Sequence, residues 1–325
     1  MEKLLLRSPN WLGDAVLTLP AVQQLTAGGR QPAVLCPEKL RDFWRLIPGV
    51  GDIISVRPKP RDTAKLLREK NFTTALLFPN SLTVALEAWL ARVPRRCGFH
   101  GHHRRWLLTQ SWPRPAPIKG YIHQAKQNLA LLQHLGITVS GGFKPIPQPA
   151  PADRQPAKPY LAVCPGAAHG PAKRWPTERF AAVINRLRAD RDLAVVILGA
   201  AADVKPAARL ALQSSKPVIN LAGQTTLAEF LALIARARLV LCNDSGAMHA
   251  AAMFGAPAVA IFGSTEPRLT APLGDTVSVI REHVPCSPCF LRACPLDRRC
   301  QTAVTPAQVT AACAEKLNHS IIPLS

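Results

Sequence analysis

Acidic residues are in short supply in this chain: 20 Asp and Glu stand against 40 Lys and Arg among 325 residues, a formal net charge of +20. The excess points to anionic partners, with phosphates on a nucleic acid or on a lipid head group as the two classes. No apolar run approaches the roughly 18 residues needed to span a bilayer, which excludes a helical membrane span. Met1-Glu-Lys leads straight into Leu4–Leu6 rather than into a secretory apolar core, so a cytoplasmic protein is expected. A disulfide framework is also disfavoured, because the nine cysteines are odd in number and Cys36, Cys164 and Cys242 sit inside strand-like runs. Only Cys286, Cys289, Cys294 and Cys300 open with metal-ligand spacing; the later spacings are irregular, and no metal is assigned to them. The G-x-G-x-x-G fingerprint is missing after the first strand, which counts against a nicotinamide cofactor. No internal repeat is evident.

What the chain does have is an alternation of short apolar runs with helix-like stretches. The runs are Leu4–Leu6, Ala33–Cys36, Asp52–Val56 and Thr74–Phe78, then Leu161–Cys164, Leu193–Leu198, Val218–Leu221, Leu239–Cys242 and Ala258–Phe262. This pattern predicts α/β architecture, with parallel sheets covered by helices. Between the two sets, Gly141–Pro159 is too rich in proline for a regular element and reads as a linker. Two domains are therefore expected, residues 1–150 and 151–325, with a last helix over Gln308–Leu317.

Cys164-Pro-Gly-Ala-Ala-His-Gly-Pro-Ala-Lys-Arg-Trp-Pro176 places a glycine-bearing turn and two cations after a buried run, and a helix-like periodicity begins at Thr177. Backbone amides and Lys173 could meet a phosphate there, although an ordinary strand-to-helix loop would look similar. Asn243-Asp-Ser-Gly-Ala-Met-His249 repeats the logic after Leu239–Cys242. In a parallel sheet both loops leave the same edge, so Ser245 and Gly246 could offer amides at a helix start to the same anion. Asp244 suits sugar hydroxyls, or else is a helix cap. One ligand with a pyrophosphate and a sugar would satisfy both loops.

In the first half, Ser8-Pro-Asn-Trp-Leu-Gly-Asp14 follows the first strand and puts Asp14 on a loop or first helical turn. A carboxylate there could take a proton from a hydroxyl nucleophile, or simply complement a helix dipole. Residues 1–150 hold 21 Lys and Arg against 8 Asp and Glu. The densest part surrounds Trp106 with Arg95, Arg96, His100, His102, His103, Arg104 and Arg105. A solvated face is the plain alternative to an anion-binding patch.

Five segments in order, Pro9-Asn-Trp-Leu-Gly-Asp14, Phe78-Pro-Asn-Ser81, the Cys164–Pro176 loop, Asn220-Leu-Ala-Gly-Gln-Thr225 and Asn243–His249, together resemble the ADP-heptose:lipopolysaccharide heptosyltransferases, nearest the heptosyltransferase II branch. The resemblance covers nearly the whole chain. It implies a GT-B fold, two Rossmann-like domains with a cleft between them, the first holding the acceptor and the second the donor, with the final helix able to pack back on the first domain. It further implies an inverting transfer of heptose from ADP-L-glycero-D-manno-heptose to a heptosylated Kdo2-lipid A core at the cytoplasmic face of the inner membrane, without a cofactor. Carried over residue by residue, it makes Asp14 the base and Lys173 the diphosphate partner. Gly166, Ala167, Ala168, Lys173, Asp203, Asp244, Ser245, Gly246 and His249 fall on the donor side. Asn10, Trp11, Asn80 and Ser81 fall on the acceptor side, with Arg95, Arg104 and Arg105 as the basic face. Some members carry an acidic residue where this chain has Ala168, and the cysteine cluster occurs in only part of the family.

The chemistry such residues support is direct displacement. An acceptor hydroxyl attacks the anomeric carbon, Asp14 takes the proton, and Lys173 with the Ser245 and Gly246 amides stabilises the departing diphosphate. No acidic metal-binding pair stands near these loops, so Mg2+ dependence is not expected. Other readings are heptosyltransferase I or another core glycosyltransferase of the family, a sugar-nucleotide epimerase, and a basic nucleic-acid-binding protein. An epimerase needs no acceptor. Against nucleic acid, only Trp106 and Phe99 lie near the basic cluster as stacking partners, and no binding module is present.

Overall fold

The computed structural model describes residues 2–101, 103–116 and 120–319. It divides into two compact units between Lys144 and Pro145. The division falls earlier than the expected boundary at 150 because the following segment is tied to the second unit. Ile146 N donates to Met253 O at 2.9 Å, and Arg236 donates to Pro149 O at 3.0 Å.

The first unit contains β1 (Leu4–Arg7), β2 (Ala33–Cys36), β3 (Ile53–Ser55), β4 (Thr74–Leu77), β5 (Arg95–Phe99) and β6 (Gln110–Trp112). All pair in parallel, in the order β3-β2-β1-β4-β5-β6. Strands β1, β2 and β4 are buried along their whole length, as expected for runs covered by helices on both faces. The second unit repeats the plan with β7 (Tyr160–Cys164), β8 (Ala194–Ile197), β9 (Ile219–Asn220), β10 (Leu239–Asn243), β11 (Ala258–Phe262) and β12 (Val277–Arg281), ordered β12-β11-β10-β7-β8-β9 and again parallel. Each sheet reverses its strand order once, between β1 and β4 and between β7 and β10. In such sheets the crevice for ligands opens beyond the carboxyl ends of the two strands at the reversal. All the loop motifs singled out above, except the one after β9, leave from those four strand ends.

Three strands were not expected. β5 begins with Arg95 and Arg96, residues read as part of a basic patch. The half-buried Arg96 guanidinium turns back onto the chain: it donates to Val93 O at 2.6 Å and Leu107 O at 2.7 Å. Arg104 is fully buried and donates to Phe99 O at 2.9 and 2.6 Å and to Pro79 O at 2.5 Å. A Cβ at Gly98 would stand 2.8 Å from the Arg104 guanidinium, so β5 carries glycine where the arginine crosses it. Arg104 is thus an internal brace between the ends of β4 and β5, and it leaves the exposed basic face. Arg95 is half-buried and donates to Gln110 at 2.9 Å, whereas Arg105 is exposed. His102 lies outside the described residues.

The terminal helix, Pro306–His319, inserts Val309, Cys313 and Leu317 into the core of the second unit, beside Val183, Leu241 and Ile261. Among the described residues, no helix is long and apolar enough to cross a membrane.

Candidate active site

At the reversal point of the second sheet, the buried Asn243 ends β10 and stitches its neighbour loop in place. Its Oδ1 accepts from Trp175 N at 3.0 Å, and its Nδ2 donates to Pro165 O at 2.8 Å and Gly166 O at 3.3 Å. The loop is pinned again at Trp175, whose indole is buried against Phe180 and donates to Val304 O at 3.1 Å. Between these anchors stands Lys173, with its Nζ 2.6 Å from Asp244 Oδ2. The two side chains are only 14% and 5% exposed, so this is a nearly desolvated ion pair. An ammonium has three N–H donors, and one contact to Asp244 leaves donors for an incoming anion.

Ser245 caps the helix Gly246–Phe254, its hydroxyl accepting from Ala247 N at 3.4 Å, and Gly255 ends that helix at φ 70°. Ser245 and Gly246 are partly exposed, so a helix start and the Lys173 ammonium adjoin through Asp244. His249 is buried on the first turns of the same helix. Ala167 is buried and Ala168 exposed, on the stretch that follows Gly166.

Asp203, also on the donor side by resemblance, braces this loop from within. Its Oδ2 accepts from Ala200 N at 3.1 Å, and its Oδ1 lies 3.3 Å from the Arg174 guanidinium. A Cβ at Gly166 would fall 2.1 Å from the Asp203 carboxyl carbon. Glycine at 166 is therefore required by close packing against a carboxylate.

The residue that reasoning from sequence missed is Thr265. It is buried in the turn after β11, and its hydroxyl donates to Asp244 Oδ2, the oxygen that also holds Lys173. The turn is held by Glu266, which pairs with Arg268 at 2.8 Å and Arg281 at 3.0 Å. Hydrogen bonding from Arg268, against the opposing effect of burial, pulls the Glu266 carboxyl down to about 2. The only sequence signal was Gly263-Ser-Thr265 following an apolar run. Burial raises the thiols of Cys164 and Cys242, so neither is a thiolate nucleophile.

At the reversal point of the first sheet, a buried ion pair between Arg7 and Glu87, at 2.8 Å, ties the end of β1 to the helix Leu82–Leu90. Arg7 also donates to Ser8 O at 2.6 Å and Asn10 Oδ1 at 3.3 Å, and Trp44 donates to Ser8 Oγ at 3.0 Å. The loop is thereby fixed before it reaches Asp14, in the first turn of the helix Leu12–Val16. Gln124 Nε2 donates to Asp14 Oδ1 at 3.2 Å, and Asn128 Nδ2 donates to Leu17 O at 2.9 Å. Both amides come from the helix Gln124–His134, which orients the carboxylate. Trp11 is 57% exposed with the Lys39 ammonium 4.1 Å above its ring. Asn80 packs on Gly101, and Ser81 caps its helix by accepting from Val84 N at 3.3 Å.

Four polar loops thus leave the two reversal points, one pair per unit. Among the described residues, no group of three or more His, Cys, Asp or Glu is placed to hold a metal ion. The family model for glycosyltransferase family 9 (heptosyltransferase) matches residues 61–299. The chain belongs to this family. Lipopolysaccharide heptosyltransferase 2 of Salmonella typhimurium is 32% identical over 310 residues, covering 86% of this chain and 88% of that protein. Lipopolysaccharide heptosyltransferase 1 of Pseudomonas aeruginosa is 25% identical, covering 90% of this chain and 87% of its own. Among solved structures, the ADP-heptose heptosyltransferase II of Escherichia coli superposes with a TM-score of 0.82 at 26% identity, covering 98% of this chain and all of that one. The family fold is GT-B, and this glycosyltransferase has its two Rossmann-like units.

Proposed function

We propose that this family 9 glycosyltransferase moves heptose from ADP-heptose to a heptosylated Kdo2-lipid A, the heptosyltransferase II reaction, with inversion at the anomeric carbon. The observation that carries the reading is the Lys173–Asp244 pair beside the Ser245 cap, in a chain 32% identical to a heptosyltransferase 2. In this reading the second unit holds the donor. Lys173 and the amides of Ser245 and Gly246 take the diphosphate, and Asp244 and His249 face the sugar-nucleotide side.

The acceptor belongs to the first unit, where Asn10, Trp11, Asn80 and Ser81 lie on the two loops leaving β1 and β4. As the acceptor oxygen forms its bond to the anomeric carbon, its proton passes to the Asp14 carboxylate. The bond from that carbon to the diphosphate breaks, and ADP leaves with the negative charge that Lys173 stabilises. The acceptor's lipid anchor places the enzyme at the cytoplasmic surface of the inner membrane, as a peripheral protein whose net charge of +20 favours anionic head groups. An acceptor panel tests the branch: ADP-heptose is incubated with Kdo2-lipid A and, separately, with its monoheptosylated form. Transfer to the second alone is expected. Preference for the first would assign the heptosyltransferase I reaction.

Thr265 enters this account as a positioning residue for Asp244. Thr265→Val keeps the volume and removes the hydroxyl, and ADP should then bind about tenfold more weakly, a loss of ~1.4 kcal/mol. Thr265→Ser should restore the affinity. Equal weakening in both variants would mean that the hydroxyl, which serine keeps, is not what holds the affinity.

A further inference from the structure

The outer side of the helix Leu82–Leu90 carries apolar side chains that no core covers. Leu82 is 44% exposed and Trp89 43%, and Trp106, from the short turn Arg105–Leu107, is 68% exposed. The two indoles meet edge to face, with ring centroids 6.3 Å apart. The Trp106 Nε1 donates to His103 O at 2.8 Å, so the polar atom is satisfied within the chain while the ring remains in solvent. Cations frame the pair. Arg68, on the neighbouring helix Pro60–Glu69, donates to Leu90 O at 2.9 and 2.6 Å; Arg92 follows the tryptophan helix, and Arg105 adjoins Trp106. All three are exposed. Of the acidic residues nearby, Glu69 is exposed beside Arg68, and Glu87 is turned inward to Arg7.

We infer that Trp89 and Trp106, ringed by Arg68, Arg92 and Arg105, are the element that docks this chain on an anionic phospholipid surface. Indole rings with one satisfied polar edge settle at the level of lipid head groups, and arginines around them meet the lipid phosphates. A basic face without the aromatic pair would be attracted to a membrane but not anchored in it; the pair supplies the short apolar insertion. The same cations disfavour a second copy of this strongly basic chain as the occupant. The inference rests on the proposed lipid-anchored acceptor, because only such a substrate requires the enzyme at a bilayer.

The test uses the full chain with vesicles of phosphatidylcholine alone or mixed with phosphatidylglycerol, both free of acceptor. Co-sedimentation is read together with quenching of tryptophan emission by brominated acyl chains. The wild type should bind the mixed vesicles and be quenched. Trp89→Ser/Trp106→Ser should lower partitioning by about tenfold or more, and Arg92→Glu should also lower it. Trp89→Phe/Trp106→Phe should still bind but lose most of the quenching. Calorimetric ADP affinity and turnover on a deacylated, water-soluble acceptor should be unchanged in all three, which shows that each variant is folded. Wild-type partitioning by the serine variant overturns the inference, as does a wild type that ignores mixed vesicles. A concentration-dependent dimer that the serine substitutions abolish would also overturn it, assigning the face to a protein contact. Absence of heptose transfer with intact vesicle binding would instead strike the proposed activity and leave the docking surface standing.

Discussion

Asp14→Asn should lower kcat by about 10² to 10⁴ while leaving ADP affinity at the wild-type level. The carboxylate sits in the first turn of Leu12–Val16 and is oriented by Gln124 at 3.2 Å. Asparagine preserves the shape and can still meet the Gln124 side chain, while the proton acceptor is lost. Because the residue lies in the first unit, donor binding is a separate property and serves as the internal control. Turnover within about threefold of wild type in a folded variant would contradict the assignment of Asp14 as base.

Lys173→Ala should weaken ADP binding by one to two decades, the ~1.5 to 3 kcal/mol of a charge-assisted contact. A second effect accompanies it. Asp244, 5% exposed, loses its counter-ion and keeps the Thr265 hydroxyl, and a buried carboxylate without its ammonium partner is destabilising. The melting temperature should therefore fall in Lys173→Ala and recover in Lys173→Ala/Asp244→Asn. ADP affinity should not recover in the double variant if the missing ammonium is the diphosphate partner proposed above. Unchanged calorimetric affinity for ADP in the single variant would remove Lys173 from the donor site.

The four loops at the reversal points were legible because β1, β4, β7 and β10 are largely apolar, and a Pro or Asn stands within three residues of the last apolar position of each. Where the sequence misled, side chains had tertiary partners that spacing does not reveal. Arg96 and Arg104 looked like a charged surface but cap backbone carbonyls, which hid β5. β6 is three residues long, and β12 is an edge strand of partly exposed residues, so neither presents a distinct apolar run. Spacing does not reveal the partners of Asp203 either: the Gly166 backbone lying against it comes from a loop far earlier in the chain. Thr265 is 21 positions from the aspartate it holds, and only the pairing of β10 with β11 brings them together.

The proposed reaction takes a heptosyl group from ADP and puts it on an acceptor. Mass spectrometry of ADP-heptose incubated with the monoheptosylated acceptor, with ADP measured in the same sample, tests it most directly. One added heptose is expected on the acceptor for each ADP released, and no consumption of ADP-heptose when the acceptor is left out. Conversion of the sugar nucleotide without acceptor, with the heptose remaining on ADP or appearing free in solution, would contradict it.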